Sequence, residues 1–182
     1  MVDLRKLFVV AVSSAVMLTL GGCSTTQSSA AKEPEVDLVQ EVQDSAADLL
    51  SGLTLSSRKP MLSVSFANID NLEESSTLGR SLGEQYSSAL TSSGVKMIEV
   101  KLSNELYISE GTGELILSRD LKRLVNDYEA QAVLVGTYAQ GGKNIYVTAR
   151  IIDIEDNTVL AADNMTLPIN QDIRGMMPRR RY

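Results

Sequence analysis

The alternation of apolar and polar residues predicts a β-α-β unit near the middle of the chain. Residues 61–68 alternate apolar with small residues, which is the two-residue period of a strand. A helix follows that has Ser75 or Ser76 as its N-cap and ends near Ser92, because its apolar residues recur at helical spacing. Residues 95–100 form a second short strand. Two strands joined through a helix are expected to be parallel, with a right-handed crossover.

Two further helical segments flank this unit. Residues 36–53 carry apolar positions every three or four residues, which predicts a helix that packs on the core; docking of that face on a partner is the alternative. Residues 118–128 repeat the pattern and predict a second crossover helix, with Ser118 as its N-cap. Between them, residues 106–108 are a short apolar piece. Residues 110–114 contain two glycines and are interpreted as a tight turn, because their glutamates would repel a phosphate.

The last third of the chain has the pattern of an antiparallel meander. Residues 132–139 begin as a continuous apolar run, as expected of a central strand. Residues 144–153 alternate cleanly, and residues 158–167 form the last strand after a turn-forming segment. The predicted fold class is therefore α/β (α+β), with a mixed sheet of about five strands. An N-terminal βαβ unit joins a C-terminal three-stranded antiparallel meander, and the helices lie mainly on one face.

The first 22 residues are typical of a signal peptide rather than of the domain. Arg5 and Lys6 precede an apolar run that ends at Leu20, shorter than the about 20 apolar residues that span a membrane. The Gly-Gly-Cys that follows resembles the bacterial lipobox, in which a Cys after small residues is lipidated and becomes the new N-terminus. We therefore expect cleavage between Gly22 and Cys23 and diacylglycerol on Cys23. A cysteine buried at the end of an N-terminal helix is the alternative.

The remaining segments divide by composition. Cys23 is followed by Ser24 rather than Asp, and by resemblance to enterobacterial sorting rules this implies a lipid-anchored outer-membrane protein whose domain faces the periplasm. Residues 23–35 are polar and Ser-rich, as in a flexible tether. The α/β domain is expected over residues 36–175. Residues 176–182 form a basic tail that is interpreted as a frayed terminus, with contact to lipid phosphates or an acidic partner as the alternative.

The composition removes most catalytic chemistry. The chain has one Cys and no His, so intrachain disulfides, Ser-His-Asp and Cys-His systems and the usual zinc sites are excluded. A net charge of −6 and an aromatic content of only 4% argue against nucleic-acid binding. A hydrophobic fraction of 43% is sufficient for a folded core. We expect no enzyme activity, no cofactor and no metal.

Three runs of sequence resemble the FlgO family of outer-membrane proteins. MLSVSFANIDNLEESSTLGRSLGEQYSSAL, from Met61, is similar to the opening of that family. GELILSRDLKRL and QAVLVGTYAQGGKNIYVTARIIDIEDNTVLAADNMTLP are similar to its later parts, so the resemblance covers about residues 53–174. It implies a lipid-anchored, non-enzymatic structural or assembly protein in flagellar motility or in the outer-membrane structure around the basal body. Its partners would be proteins, among them flagellar basal-body components, and a homo-oligomer is left open.

Residues 68–80, which we call the signature segment, contain the motif N-x-D-x-L-x-x-S-S-x-L-G-R of that resemblance. Its polar and small residues are candidates for an exposed protein interface. Each also has a structural explanation, since a serine can cap a helix, a glycine can permit close helix packing, and Asp or Asn can form an Asx turn. The candidates are Asn68, Asp70, Asn71, Ser75, Ser76, Gly79 and Arg80.

Two other functions are open at this stage. A small-ligand or envelope-glycan binding lipoprotein would use the loops 69–76 and 109–118 as its site. A hydrolase would need paired carboxylates, for which Asp70, Glu73 and Glu74 are the candidates, but carboxylates in a loop are usually solvated. A deep pocket with convergent polar groups favours the first of these functions, and a flat surface favours a protein interface.

Overall fold

A computed structural model describes residues 35–72, 76–100, 106–108, 115–117 and 119–178 of the chain. These residues belong to one compact unit, Glu33–Tyr182. The helices are α1 (Leu38–Leu50), α2 (Thr77–Ser92), α3 (Arg119–Asp127) and α4 (Gln171–Met176). The strands are β1 (Met61–Ser63), β2 (Ala67–Asn68), β3 (Met97–Glu99), β4 (Leu106–Ile108), β5 (Leu115–Leu117), β6 (Ala132–Gln140), β7 (Asn144–Asp153) and β8 (Val159–Pro168).

The main sheet has the predicted mixed topology. Its strands follow the order β3-β1-β6-β7-β8, with β1 parallel to both β3 and β6. β6, β7 and β8 form the antiparallel meander, and β2 pairs with β6 beyond the end of β1. The predicted fold class is confirmed, including the βαβ unit β1-α2-β3. β4 and β5 pair as a separate two-stranded antiparallel sheet, which the short apolar piece at residues 106–108 did not predict.

The helices lie mainly on one face of the sheet, as expected. α1, α2 and α4 bury Val42, Tyr86 and Ile173 against strand residues such as Leu134, and we call this cluster the main core. α3 packs on the opposite face, where Val125 lies in a smaller cluster with apolar residues of β1 and β6. Each fully buried aliphatic or aromatic side chain stabilises the fold by roughly 1.5–3 kcal/mol relative to exposure.

The strand predicted over residues 61–68 is interrupted. Leu62 and Val64 face the smaller cluster, whereas Phe66 turns into the main core, so the two-residue alternation does not continue through this stretch. The cause is α2, whose backbone touches the chain here: the Phe66 N–H donates to the Gly79 carbonyl at 2.9 Å. A bond to a helix replaces part of the strand ladder, and β1 and β2 become separate strands.

The helix α4, which follows β8, was not predicted from the sequence. α4 is capped by Asn170, whose side chain accepts from the Ile173 N–H at 2.9 Å. Met176 and Met177 pack against the main core, so the beginning of the predicted basic tail contacts the fold.

Several predicted features lie outside the described residues: the signal peptide, Cys23, most of the tether, Glu73, Glu74, Ser75, Ser118 and the arginines after Pro178. In the part of the chain that the structure does describe, no helix has the length and apolar character needed to cross a membrane.

Candidate functional site

The signature segment begins at the carboxyl ends of two parallel strands. β2 ends at Asn68, which pairs in register with Tyr138 of β6. From β2 the chain enters α2 on the main-core face, whereas β6 continues through a turn into its neighbour β7. The signature segment therefore lies at the end of the sheet where β6 turns into β7.

Ser76 fixes the start of α2. Its hydroxyl oxygen accepts from the Gly79 N–H at 2.9 Å, which confirms the predicted N-cap. The Tyr138 hydroxyl donates to the same oxygen at 2.6 Å, and both side chains are buried. This link joins the helix start directly to the central strand β6. Ser76 thus positions the signature segment from inside the fold.

Glycines allow the strand interruption to fit beneath α2. A Cβ on Gly79 would overlap the Phe66 carbonyl oxygen, and a Cβ on Gly136 would overlap the Phe66 ring. The ring stacks on Tyr86, with centroids 5.0 Å apart. Close backbone approach is one of the roles that only glycine can fill. The path of the chain into the signature segment therefore depends on these two positions.

The exposed part of the signature segment is a tip formed by Ile69, Asp70 and Asn71, which we call the loop tip. Its backbone is fixed by three hydrogen bonds. The Ile69 N–H donates to the Tyr138 carbonyl at 3.0 Å, and the Asn71 N–H donates to the Asn68 carbonyl at 3.0 Å. The Asp70 N–H donates to the Asn68 side-chain oxygen at 3.1 Å, which is an Asx turn. Asn68 therefore shapes the tip.

The structure separates the candidate interface residues into two groups. Asp70, Asn71 and Arg80 are exposed, and Asn68 is half-buried beneath the loop tip. Ser76 and Gly79 are buried, and they make the capping and packing contacts that were the structural alternative to an interface role. Ser75 lies outside the described residues.

Ile69 was predicted to lie in the loop 69–76 but was not among the candidate interface residues. Its side chain is 44% exposed beside two polar neighbours. The signal was its position directly before Asp70 and Asn71, because Asp and Asn mark a turn and end the strand period. The Tyr138–Ser76 contact could not be found in this way, since it joins residues 62 positions apart.

A groove of about 610 Å³ lies between α1 and α2, away from the loop tip. It is lined by residues of the two helices, among them Val39, Gln43, Gln85 and Ser88. Gln85 Oε1 is buried and has no hydrogen-bond partner within the described structure. Among the residues that the structure describes, no cluster of three or more acidic or sulfur ligands is arranged to hold a metal.

Most of the chain matches the model of one protein family. The family model described as FlgO protein matches residues 43–172, which is most of the chain. The chain belongs to the FlgO family. The matched stretch contains the whole signature segment, the β-α-β unit and the meander, so the family resemblance seen in the sequence is confirmed. No curated protein sequence matches the chain significantly.

Solved structures share the fold at low sequence identity. The LpoB C-terminal domain from Salmonella enterica has a TM-score of 0.52 at 14% identity, with 72% of this chain and 98% of that chain covered. The same domain from Escherichia coli has a TM-score of 0.49 at 15% identity, with coverages of 75% and 100%. A PelC dodecamer from Paraburkholderia phytofirmans gives 0.44 at 16% identity, with coverages of 63% and 76%. The first of these shows the common fold.

Proposed function

We propose that this FlgO-family protein is an outer-membrane lipoprotein with a structural or assembly role that it performs by binding protein partners. The lipid is attached to Cys23, the domain faces the periplasm, and the process served is flagellar motility or the outer-membrane structure around the basal body. Family membership and the lipobox-like Gly-Gly-Cys support this proposal. Two or three acyl chains anchor a protein durably, at about 0.8 kcal/mol per buried methylene.

The loop tip is the surface that carries the proposal. A single exposed apolar side chain, Ile69, is flanked by the polar Asp70 and Asn71, with Arg80 exposed in the first turn of α2. Protein interfaces have this arrangement, with an apolar contact inside a polar rim. The three hydrogen bonds that hold the tip reduce the entropy that would be lost when a partner binds. A pre-formed, exposed tip suits a protein partner better than a small molecule, which needs a concave site.

The proposed role involves no catalysis and no cofactor. The absence of His from the sequence, together with a single Cys that lies in the lipidation motif, leaves carboxylates as the principal titratable candidates. Asp70 is exposed at the loop tip, whereas a catalytic carboxylate pair needs a defined spacing around a bound substrate. We therefore propose binding as the whole of the activity.

The test is to place a charge on the loop tip. Ile69→Asp should abolish complementation of the motility defect of a deletion strain, because it puts a desolvation penalty at the centre of the interface. Val39→Asp is the matched control: Val39 is 52% exposed in α1 and lies in the groove rather than in the signature segment. An acidic residue in the first turn of a helix is tolerated. Equal abundance of both variants must be verified by immunoblotting.

The outcomes separate the hypotheses. Motility that is retained by Ile69→Asp at normal abundance contradicts the role of the loop tip. Motility that a clean deletion of the gene leaves unchanged contradicts the flagellar part of the proposal while leaving the lipoprotein part intact.

A small-ligand or envelope-glycan binding function is the second candidate. The groove between α1 and α2 favours it, since Gln43, Gln85 and Ser88 supply polar groups along a concave surface. Ala89→Trp would fill that groove without touching the loop tip. Loss of function in Ala89→Trp together with full function in Ile69→Asp would favour this candidate over protein binding.

A further inference from the structure

The opposite end of the sheet, where the parallel strands begin, separates its charges by sign. Met97, Met61, Ala132 and Asp153 lie side by side in register on β3, β1, β6 and β7. The residues next to this row therefore share one surface, which we call the amino-end surface. Its basic set is Arg58, Lys59 and Lys96, and its acidic set is Asp127, Glu129, Asp153, Glu155 and Asp156. All of these side chains are exposed except Asp153, which is half-buried.

Backbone and side-chain hydrogen bonds hold the basic set in place. The Met61 N–H donates to the Lys96 carbonyl at 2.8 Å, which joins the starts of β1 and β3. The side-chain nitrogen of Gln131 donates to the Lys59 carbonyl at 2.7 Å, and the side-chain oxygen of Gln131 accepts from the Ser56 N–H at 2.7 Å. Gln131 therefore fixes the loop that carries Arg58 and Lys59 against the start of β6.

Two carboxylates of the acidic set are also held by hydrogen bonds. The Asp153 carboxylate accepts from the Glu155 N–H at 2.7 Å, and the Asp156 carboxylate accepts from the Thr158 N–H at 2.8 Å. These two Asx turns shape the connection between β7 and β8. The bonds from Thr158 hold the pKa of Asp156 below its usual range, so this carboxylate stays charged.

The two sets do not neutralise each other within one molecule. Strand β6 lies between β1 and β7, so at about 5 Å per strand the acidic residues at the end of β7 and after it are about 10 Å from the basic residues before β1. A separation of about 10 Å is close to the Debye length of about 8 Å at physiological ionic strength, so the attraction across it is largely screened. Asp127 and Glu129 precede β6 and lie closer, and within the described residues no ion pair joins the basic set to the acidic set.

Exposed apolar side chains lie on the same surface. Tyr128 is 48% exposed between Asp127 and Glu129, at the end of α3. Val159 and Leu160 are 49% and 39% exposed at the start of β8, directly after the acidic turn. A protein interface likewise combines apolar contacts with charged and polar residues around them.

We propose that the amino-end surface binds a second copy of this chain about a two-fold axis. In such an isologous contact the same patch serves both molecules and must be complementary to itself. The segregated charges meet this requirement, because a two-fold rotation places the basic set of each copy against the acidic set of the other. Tyr128, Val159 and Leu160 then pack near the aliphatic parts of the partner's lysines. The contact uses neither the lipid nor the loop tip, so it goes beyond the proposed function.

The experiment is a charge swap on the full-length chain in detergent, followed by sedimentation equilibrium. The basic-set variant carries Lys59→Glu and Lys96→Glu, and the acidic-set variant carries Asp127→Lys and Glu155→Lys. Each alone should weaken self-association about tenfold or more, because like charges then oppose each other. An equimolar mixture should regain association as a heterodimer, since one variant presents mostly acidic charges, with Arg58 unchanged, and the other mostly basic ones. Wild-type association should be stronger at about 0.01 M than at about 1 M salt.

Lys143→Glu is the control, because it reverses one exposed charge in the turn between β6 and β7, at the other end of the sheet. This variant should associate as strongly as the wild type, whereas the single variant Lys59→Glu should associate more weakly. A wild-type chain that stays monomeric at low salt overturns the proposal. So does a mixture that fails to regain association. Binding of the monomer to vesicles of anionic phospholipid, abolished in the basic-set variant, would overturn it in favour of a membrane contact.

Discussion

Tyr86 joins three parts of the fold through one side chain. Its ring stacks on Phe66, and its hydroxyl lies 2.5 Å from the Ser45 hydroxyl of α1 and 3.8 Å from the sulfur of Met165 in β8. The neutral phenol can keep these buried contacts, whereas burial away from water disfavours the charged phenolate. Burial raises the pKa of Tyr86 to about 12, against a smaller opposing effect of the Ser45 hydrogen bond.

This pKa makes a prediction for alkaline unfolding. The unfolded phenol has a pKa of about 10, so the stabilisation from the retained proton is complete below pH of about 10. It is lost as the pH rises towards about 12, by up to about 2 kcal/mol in the free energy of unfolding. Tyr86→Phe removes that loss. Urea unfolding at pH of about 8 should show that Tyr86→Phe is less stable than the wild type, because Ser45 loses its hydrogen-bond partner. At pH of about 11 the difference in the free energy of unfolding between the two proteins should be smaller.

The matched control for Tyr86→Phe is Tyr146→Phe, because Tyr146 is 55% exposed on β7. It should keep the wild-type decline in stability at alkaline pH. If the free energies of Tyr86→Phe and wild type fall in parallel across this range, the burial of Tyr86 does not govern its titration.

Among the elements, α2 and the interrupted strand beneath it determine the path into the signature segment. α2 approaches closely enough for backbone contact at Gly79, and the Phe66 ring occupies the space above Gly136. The helix start is then fixed by Ser76 and its partner Tyr138. A close helix–strand contact thus converts a strand into a loop with a defined conformation.

The contact at Gly79 can be tested with a pair of helical glycines. Gly79→Ala should destabilise the protein by several kcal/mol, since its Cβ would overlap the Phe66 carbonyl and force the helix away. Gly175→Ala is the control, because Gly175 in α4 has open space around the Cβ position. That change should be neutral or stabilising by up to about 1 kcal/mol from helix propensity. Urea midpoints that are equal for the two variants would contradict the account of α2.

The sequence predicted those elements whose apolar pattern extends over many residues. β6, β7 and β8 follow from a long apolar run and clean alternation, and the parallel pairing of β1 with β3 follows from the helix between them. The break at residues 64–66 was not predictable from period alone, because it depends on glycines of another element. α4 has only six residues, too few for a helical period to be recognised.

The candidate site was predicted only where its features are local in the sequence. The cap at Ser76 is local, and a hydroxyl residue before an apolar helical pattern predicts it. The exposure of Ile69 and the burial of Gly79 depend on how the strand ends and the helix pack, which is set by contacts between distant residues. Of the predicted interface, the described residues that face solvent are Asp70, Asn71 and Arg80, with Asn68 partly covered.

At the scale of the whole molecule, the two ends of the sheet present different surfaces. The carboxyl ends of the parallel strands carry the ordered loop tip, and the opposite end carries the segregated charges. In the proposed account, the lipid on Cys23 holds both surfaces near the outer membrane. The family match covers the domain that carries these surfaces and begins at residue 43. The support for the lipid anchor is therefore the lipobox-like Gly-Gly-Cys before that residue.

The most direct test of this account is membrane fractionation of the full-length protein and of Cys23→Ser in cells. We predict that the wild-type protein sediments with the outer membrane and carries a lipid that shifts its mass. Cys23→Ser should be recovered in the soluble periplasmic fraction, since no thiol remains for lipid attachment. A Cys23→Ser protein that still sediments with the outer membrane, at the same abundance as the wild type, would contradict the lipid anchor on which the proposed function depends.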